Sequence, residues 1–147
     1  MTSVKLPKVW KMKSNFEFLN RYWPVLAQLG MNAESYLHSD PNACIYKIGL
    51  FSERLVHEIL LFENIPEPVV DNTHANRIHL LKRAGLLPQD IDNTLYVLRR
   101  TRNSAVHTGE DSIDDAKTLL SMTYNLAVLF METYGDWHYV APEFVMP

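Results

Sequence analysis

The chain has a single cysteine, Cys44, in 147 residues. That excludes an internal disulfide framework and a four-cysteine zinc site, and it fits a reducing compartment. No stretch approaches the ~20 consecutive apolar residues that cross a bilayer, so no membrane partner is expected. No secretory signal opens the chain, since Met1 to Ser14 carries four lysines and no apolar run. These absences together point to the cytoplasm. Charge of one sign is also lacking: 14 Lys and Arg stand against 17 Asp and Glu, a net charge of -3. The surface as a whole is therefore not a nucleic-acid footprint, and any phosphate contact must come from a local basic cluster. No internal repeat, low-complexity tract or convincing strand alternation is present.

What remains is a succession of helical signals. Ser14 or Asn15 caps a first helix carrying Phe16, Leu19 and Trp23. Trp23-Pro24 breaks it, and Pro24 begins a second helix to about His38, with Leu26, Leu29, Ala33, Tyr36 and Leu37 as its apolar face. Asp40-Pro41 couples a capping carboxylate to a proline at the first helical position. The helix it starts runs to about Phe62, with a stripe of Ile45, Ile48, Leu55, Val56, Ile59 and Phe62. Pro66 and Pro68 make 64–72 a loop. Thr73 caps a short helix that Gly85 closes. Pro88 opens the next, with Ile91, Leu95, Leu98 and Ala105 on one face and His107-Thr108-Gly109 at its end. Ser112 caps the last, with a stripe of Ile113, Ala116, Leu119, Leu120, Thr123, Ala127, Phe130 and Tyr134, stopped by Gly135. The expected fold is all-α: an antiparallel bundle of about five helices over 14–135, a basic arm over 1–13, and a tail over 136–147 without helical period. The tail either lies extended over the bundle or leads into another domain.

Arg102 is the anomaly in this pattern. At about 100° per residue it falls in the middle of the Ile91, Leu95, Leu98, Ala105 stripe. A guanidinium stays charged, so burying it without a partner costs several kcal/mol. It must meet a carboxylate, a helix end, a partner subunit or a bound anion. Asn103 and His107, four apart, share the neighbouring face. The negative helix end favours imidazolium at His107. A histidine beside a fixed arginine suits phosphodiester chemistry. The imidazole moves a proton to or from a 2′-OH or leaving oxygen, the guanidinium holds charge developing on the phosphate oxygens, and Asn103 orients either group. Such a pair needs no metal and no cofactor. The plainer reading is structural: Arg99, Arg100 and Arg102 oppose the helix dipole, Arg102 pairs with an acid, and His107 is a cap.

The string Arg102-Asn103-Ser104-Ala105-Val106-His107 resembles the signature of HEPN domains: Arg, four to six residues, then His, often with a polar residue after the Arg. Asn15-Phe16-Glu17-Phe18-Leu19 before the Trp-Pro step, Ala33-Glu34-Ser35-Tyr36, Asp40-Pro41-Asn42-Ala43 and Glu53-Arg54-Leu55-Val56 extend the resemblance. Together they look like the HEPN-type domain of unknown function at the N-terminus of type I restriction R subunits and related DEAD/DEAH-box helicases. Active HEPN domains are metal-independent endoribonucleases, usually dimers with two motifs facing one cleft. The resemblance therefore implies catalytic roles for Arg102 and His107 with Asn103 assisting, and Glu53 as the acidic partner of Arg102. It implies a homodimer through the motif face, and methylase and specificity subunits as companions. Other members are non-catalytic assembly or regulatory modules, which is the alternative here.

Other candidates are weaker. His74 and His79 are five apart, poor spacing for a metal. Cys44 lacks a Cys-His arrangement and is expected to pack. Trp10, Tyr22, Trp23 and Trp137 suit packing better than base stacking. Arg77, Lys82 and Arg83, with Arg99 and Arg100, form a candidate basic rim for RNA or DNA, with a solvated charged face as the default.

Overall fold

A computed structural model describes residues 14–108 and 113–147, the side chains of 104–108 excepted. The expected arm over 1–13 and the capping residue Ser112 lie outside the described residues. Among them the chain forms five α-helices and no strand: α1 (Pro24–Tyr36), α2 (Pro41–Phe62), α3 (His74–Arg83), α4 (Gln89–Thr108) and α5 (Ile113–Phe130). This is the all-helical bundle expected.

The helix ends follow local chemistry. Asp40 accepts a hydrogen bond from the Ala43 amide at 3.1 Å, and Thr73 one from the Asn76 amide at 3.1 Å. At the other ends α2 and α3 close by the same device. Asn64 (φ 58°) and Gly85 (φ 73°) turn left-handed, and the next amide bonds back five residues: Ile65 to Leu60 at 2.9 Å, Leu86 to Leu81 at 3.0 Å.

Four expectations need correction. The expected helix before Trp23 is a short 3-10 turn, Glu17–Arg21, because Pro24 leaves no room for a longer one. The core face of α1 is rotated by one position: Leu26, Ala27, Gly30, Ala33 and Leu37 are buried, whereas Tyr36 is exposed. The last turn of α5 widens into a π-helix, Met131–Gly135, and Phe62, read as core, is 59% exposed and packs edge-on to Tyr134.

α2 is the central element and packs on α1, α3, α4 and α5. Its buried Ile45, Ile48, Phe51, Leu55, Val56 and Ile59 meet Leu95 and Leu98 of α4 and Leu119, Leu120 and Ala127 of α5 in one core. Phe16 enters from the N-terminal side and stands edge-on to Phe51, ring centroids 5.6 Å apart. Cys44 is fully buried, and desolvation, then Glu34, pushes its thiol up to about 12. It is a packing residue.

The segment 136–147 runs extended over the bundle. Asn15 donates to the Val145 carbonyl at 2.8 Å and accepts from the Val145 amide at 2.9 Å. The Tyr124 hydroxyl donates to the Pro142 carbonyl at 2.6 Å. Phe18 stacks on Tyr139 at 5.1 Å. Removing the Asn15 side chain takes away this reciprocal pair and its bond to Glu34, and should loosen the strap more than the core. In Asn15→Ala the Val145 amide is expected to lose most of its hydrogen-exchange protection while core amides of α2 keep theirs. Equal protection in both proteins would show that the aromatic contacts suffice.

Candidate functional site

The Arg102 side chain crosses α2. Residues 46, 49 and 53 lie three and four apart and share one face of that helix. Gly49 supplies the crossing point: a Cβ built there would stand 2.6 Å from Arg102 Cδ and 2.8 Å from Cγ. Tyr46 lies to one side, its ring centroid 5.5 Å from the guanidinium carbon. Glu53 lies to the other, accepting from Arg102 Nη1 at 2.5 Å. The two charged side chains are 22% and 31% exposed. Burial of the stem and pairing of one nitrogen thus explain how an arginine sits in the apolar stripe of α4, beside fully buried Leu95 and Leu98. Among the described residues only Nη1 of the guanidinium has a hydrogen-bond partner, and the Nε and Nη2 edge has none there. Such an edge matches two oxygens of a phosphate.

Asn103 is exposed on the next position of α4. The backbone of His107 continues α4, and its side chain lies outside the described residues, as does that of Ala105. The structure thus brings Arg102 and Glu53 together, puts Asn103 on the adjoining surface, and gives no position for the His107 ring. Arg99 sits partly buried one turn before Arg102, and Arg100 is exposed.

His74, dismissed above as a poor metal ligand, is the residue that spacing missed. It occupies the first turn of α3, and its charge environment is set by Glu53, Arg77, Arg99 and Arg102. Neither ring nitrogen has a hydrogen-bond partner among the described residues, and both are shut off from solvent. Desolvation, opposed by Glu53 and assisted by the three arginines, lowers its pKa to about 4. At neutral pH it is an uncharged imidazole beside the Arg102–Glu53 pair. No sequence signal announced it, because the loop over 64–72 sets where α3 begins relative to α2. The same loop is anchored by Glu67, which pairs with His57 at 2.7 Å and Arg77 at 2.7 Å. Burial alone raises the Glu67 carboxyl, but its bonds to His57 and Asn72 and the charge of Arg77 hold it below the usual range.

Among the described residues, no three of His, Cys, Asp and Glu gather as a metal site, and no helix is long and apolar enough to cross a membrane. An apolar cavity of about 320 Å³ between α2, α5 and the start of α4 is lined by Leu55, Ile59, Ile91 and Phe130, with a Tyr134–Glu63 hydrogen bond at 2.9 Å. Ile91 lies about 16 Å along α4 from Arg102 at 1.5 Å per residue, so this cavity is separate from the Arg102 cluster.

Residues 31–143 match the family model described as "Domain of unknown function (DUF4145)". The chain belongs to the DUF4145 family. The chain is also 33% identical, over 139 residues and 92% of its length, to the type I restriction enzyme EcoKI endonuclease subunit of Escherichia coli (strain K12). It spans only 11% of that subunit. No solved structure matches this chain.

The cradle invites a direct perturbation. Gly49→Ala places a methyl where the Arg102 stem now lies and should unseat the guanidinium from Glu53. Alanine's helix propensity, better by about 1 kcal/mol, offsets much of the lost packing. The expected result is a melting temperature near the parent's and, in any assay that Arg102→Ala impairs, an equal loss. A parent-like function would show that Arg102 works from more than one position.

Proposed function

We propose that this DUF4145 domain is a nucleic-acid-engaging, HEPN-type module of a type I restriction enzyme, and that the Arg102 end of α4 acts on a phosphodiester. The observation that carries this reading is the cradle. Tyr46, Gly49 and Glu53 hold the partly exposed guanidinium, with one edge that has no partner among the described residues. The likeness to a restriction endonuclease subunit supplies the setting. In the proposed chemistry a ribose 2′-OH gives its proton to the His107 imidazole and its oxygen bonds to phosphorus. The P–O5′ bond breaks, and O5′ takes up a proton. A 2′,3′-cyclic phosphate and a 5′-hydroxyl end result. Arg102 stabilises the charge on the non-bridging oxygens, and Asn103 orients the strand. Two copies facing through their α4 ends would pair the motifs in one cleft, and the methylase and specificity subunits would be neighbours in the larger assembly.

The test is RNA cleavage in EDTA by the parent, Arg102→Ala and His107→Ala. Cleavage by the parent alone, with cyclic-phosphate ends, is expected. Cleavage that survives His107→Ala would sink the catalytic assignment.

One observation favours a second reading, a non-catalytic assembly module. Glu53 already balances the Arg102 charge across α2 and α4, as a structural ion pair would. That reading expects no cleavage by the parent and a lowered melting temperature in Arg102→Ala.

A further inference from the structure

α3 packs on α2, and between α3 and α4 lies a groove of about 330 Å³. Ala75, His79 and Lys82 line one wall, and Asp92, Tyr96 and Arg99 line the other. Each set recurs at spacings of four and three, so each is one face of its helix. The helices run antiparallel, and Lys82 bridges to Asp92 at 3.2 Å, closing one end. At the other end stands Arg99, one turn from Arg102 along α4. Asp92 is the only acid lining the groove, and Lys82 already engages it. Arg99 has no ion pair or hydrogen bond among the described residues. Tyr96 is 52% exposed on the wall between them.

An aromatic face, a guanidinium without a partner among the described residues, and mixed walls in which Ala75 and Ile78 stand beside Asn76 and His79, in a volume at the low end of small-ligand pockets, suit one nucleotide. We infer that the α3–α4 groove is a nucleotide subsite. Tyr96 stacks on the base and Arg99 holds the phosphate that leads to Arg102. This rests on the nucleic-acid reading above. It adds the path by which a single strand reaches the motif. At about 330 Å³ the groove has room for about one nucleotide and none for a duplex, so the occupant is a single strand. Its backbone sugar is the open variable.

The experiment is fluorescence anisotropy of the whole chain with labelled single strands of roughly ten nucleotides, one of RNA and one of DNA. The proteins compared are the parent, Tyr96→Ala, Tyr96→Phe, Arg99→Ala and Arg102→Ala. These positions are exposed or partly exposed, so melting curves are expected to match except in Arg102→Ala. Tyr96→Ala and Arg99→Ala should each weaken binding about tenfold, and Tyr96→Phe should retain it. Arg99→Ala should also reduce the slope of log affinity against log salt by about one. Binding of both strands supports a site for base and phosphate. Binding of RNA alone supports the same site with the 2′-hydroxyl read as well. If the parent binds and Tyr96→Ala and Arg99→Ala bind equally well, the groove is not the subsite. Loss in Arg102→Ala would then leave the proposed function standing. If the parent binds neither strand, both ideas fail together.

Discussion

Lowering the pH from 7 to 5 is expected to remove about 2 kcal/mol of folding stability through His74 alone. The residue is half-buried at the start of α3 with both ring nitrogens shut off from solvent, and desolvation holds its folded pKa near 4 against 6.5 for the free side chain. Among the groups facing it, Glu53 on α2 opposes the shift, while Arg77 on its own helix and Arg99 and Arg102 on α4 reinforce it. The unfolded chain therefore takes up the proton first. Stability is complete above about 6.5 and falls as the pH drops toward 4, where roughly 3 kcal/mol has gone. Stopping at pH 5 keeps the measurement above the range in which the carboxylate of Glu67 protonates. For a chain of this length the melting temperature should drop about 4–8 °C. Replacing His74 by Leu removes the titrating group and keeps an apolar side chain in the space. Thermal unfolding of parent and His74→Leu at both pH values makes the comparison. Parallel falls in the two proteins would show that the His74 site admits water or relaxes on protonation.

The second large effect is on the proposed RNA cleavage. Arg102→Ala is expected to lower the rate about 10²–10³-fold, the range for removing one preorganised donor to a developing oxyanion. His107→Ala should cost about 10²–10⁴-fold, the range for a positioned general acid or base. The double variant should be no worse than the poorer single one, because groups that act as a unit lose their whole effect together. Arg102→Lys is not a conservative change here, since one ammonium cannot bond Glu53 and present a planar edge outward. Stability separates the two readings. A partly exposed ion pair contributes about 1 kcal/mol or less, so Arg102→Ala should melt about 2–4 °C lower. A fall several times larger, with no cleavage by the parent, would favour the assembly module.

Much of this architecture was legible because the deciding interactions are local. Asp40, Thr73, Asn64 and Gly85 act within one turn of themselves, and their types alone set where α2 and α3 begin and end. The anomaly at Arg102 was legible too, since a charge in an apolar stripe demands a partner. Glu53 is where that demand is met, although the resemblance rather than any periodicity pointed to it. What escaped was non-local. Gly49 reads as a weak point in a helix until the Arg102 stem is seen crossing it. The Phe62 position continues the stripe of α2 by period, yet α2 outlasts the core it packs on. The rotated face of α1 follows from Phe16 entering beside Gly30, a contact between segments joined through a proline break. His74 and the Tyr96 groove depend on how α3 sits against α2 and α4, which the loop over 64–72 determines.

The reciprocal Asn15–Val145 bonds have a mechanical consequence. They hold the two ends of the bundle at one point, so a pull on those ends does not stretch the helices in series. The load falls first on the His38–Pro147 bond at 2.9 Å and then on those two hydrogen bonds. Once they part, the strap peels back, losing the contacts at Phe144, Pro142 and Tyr139 one after another. Unzipping of this kind needs far less force than shearing packed helices. A tether linked through these ends would lengthen by the strap's contour while the Arg102 cradle stayed assembled.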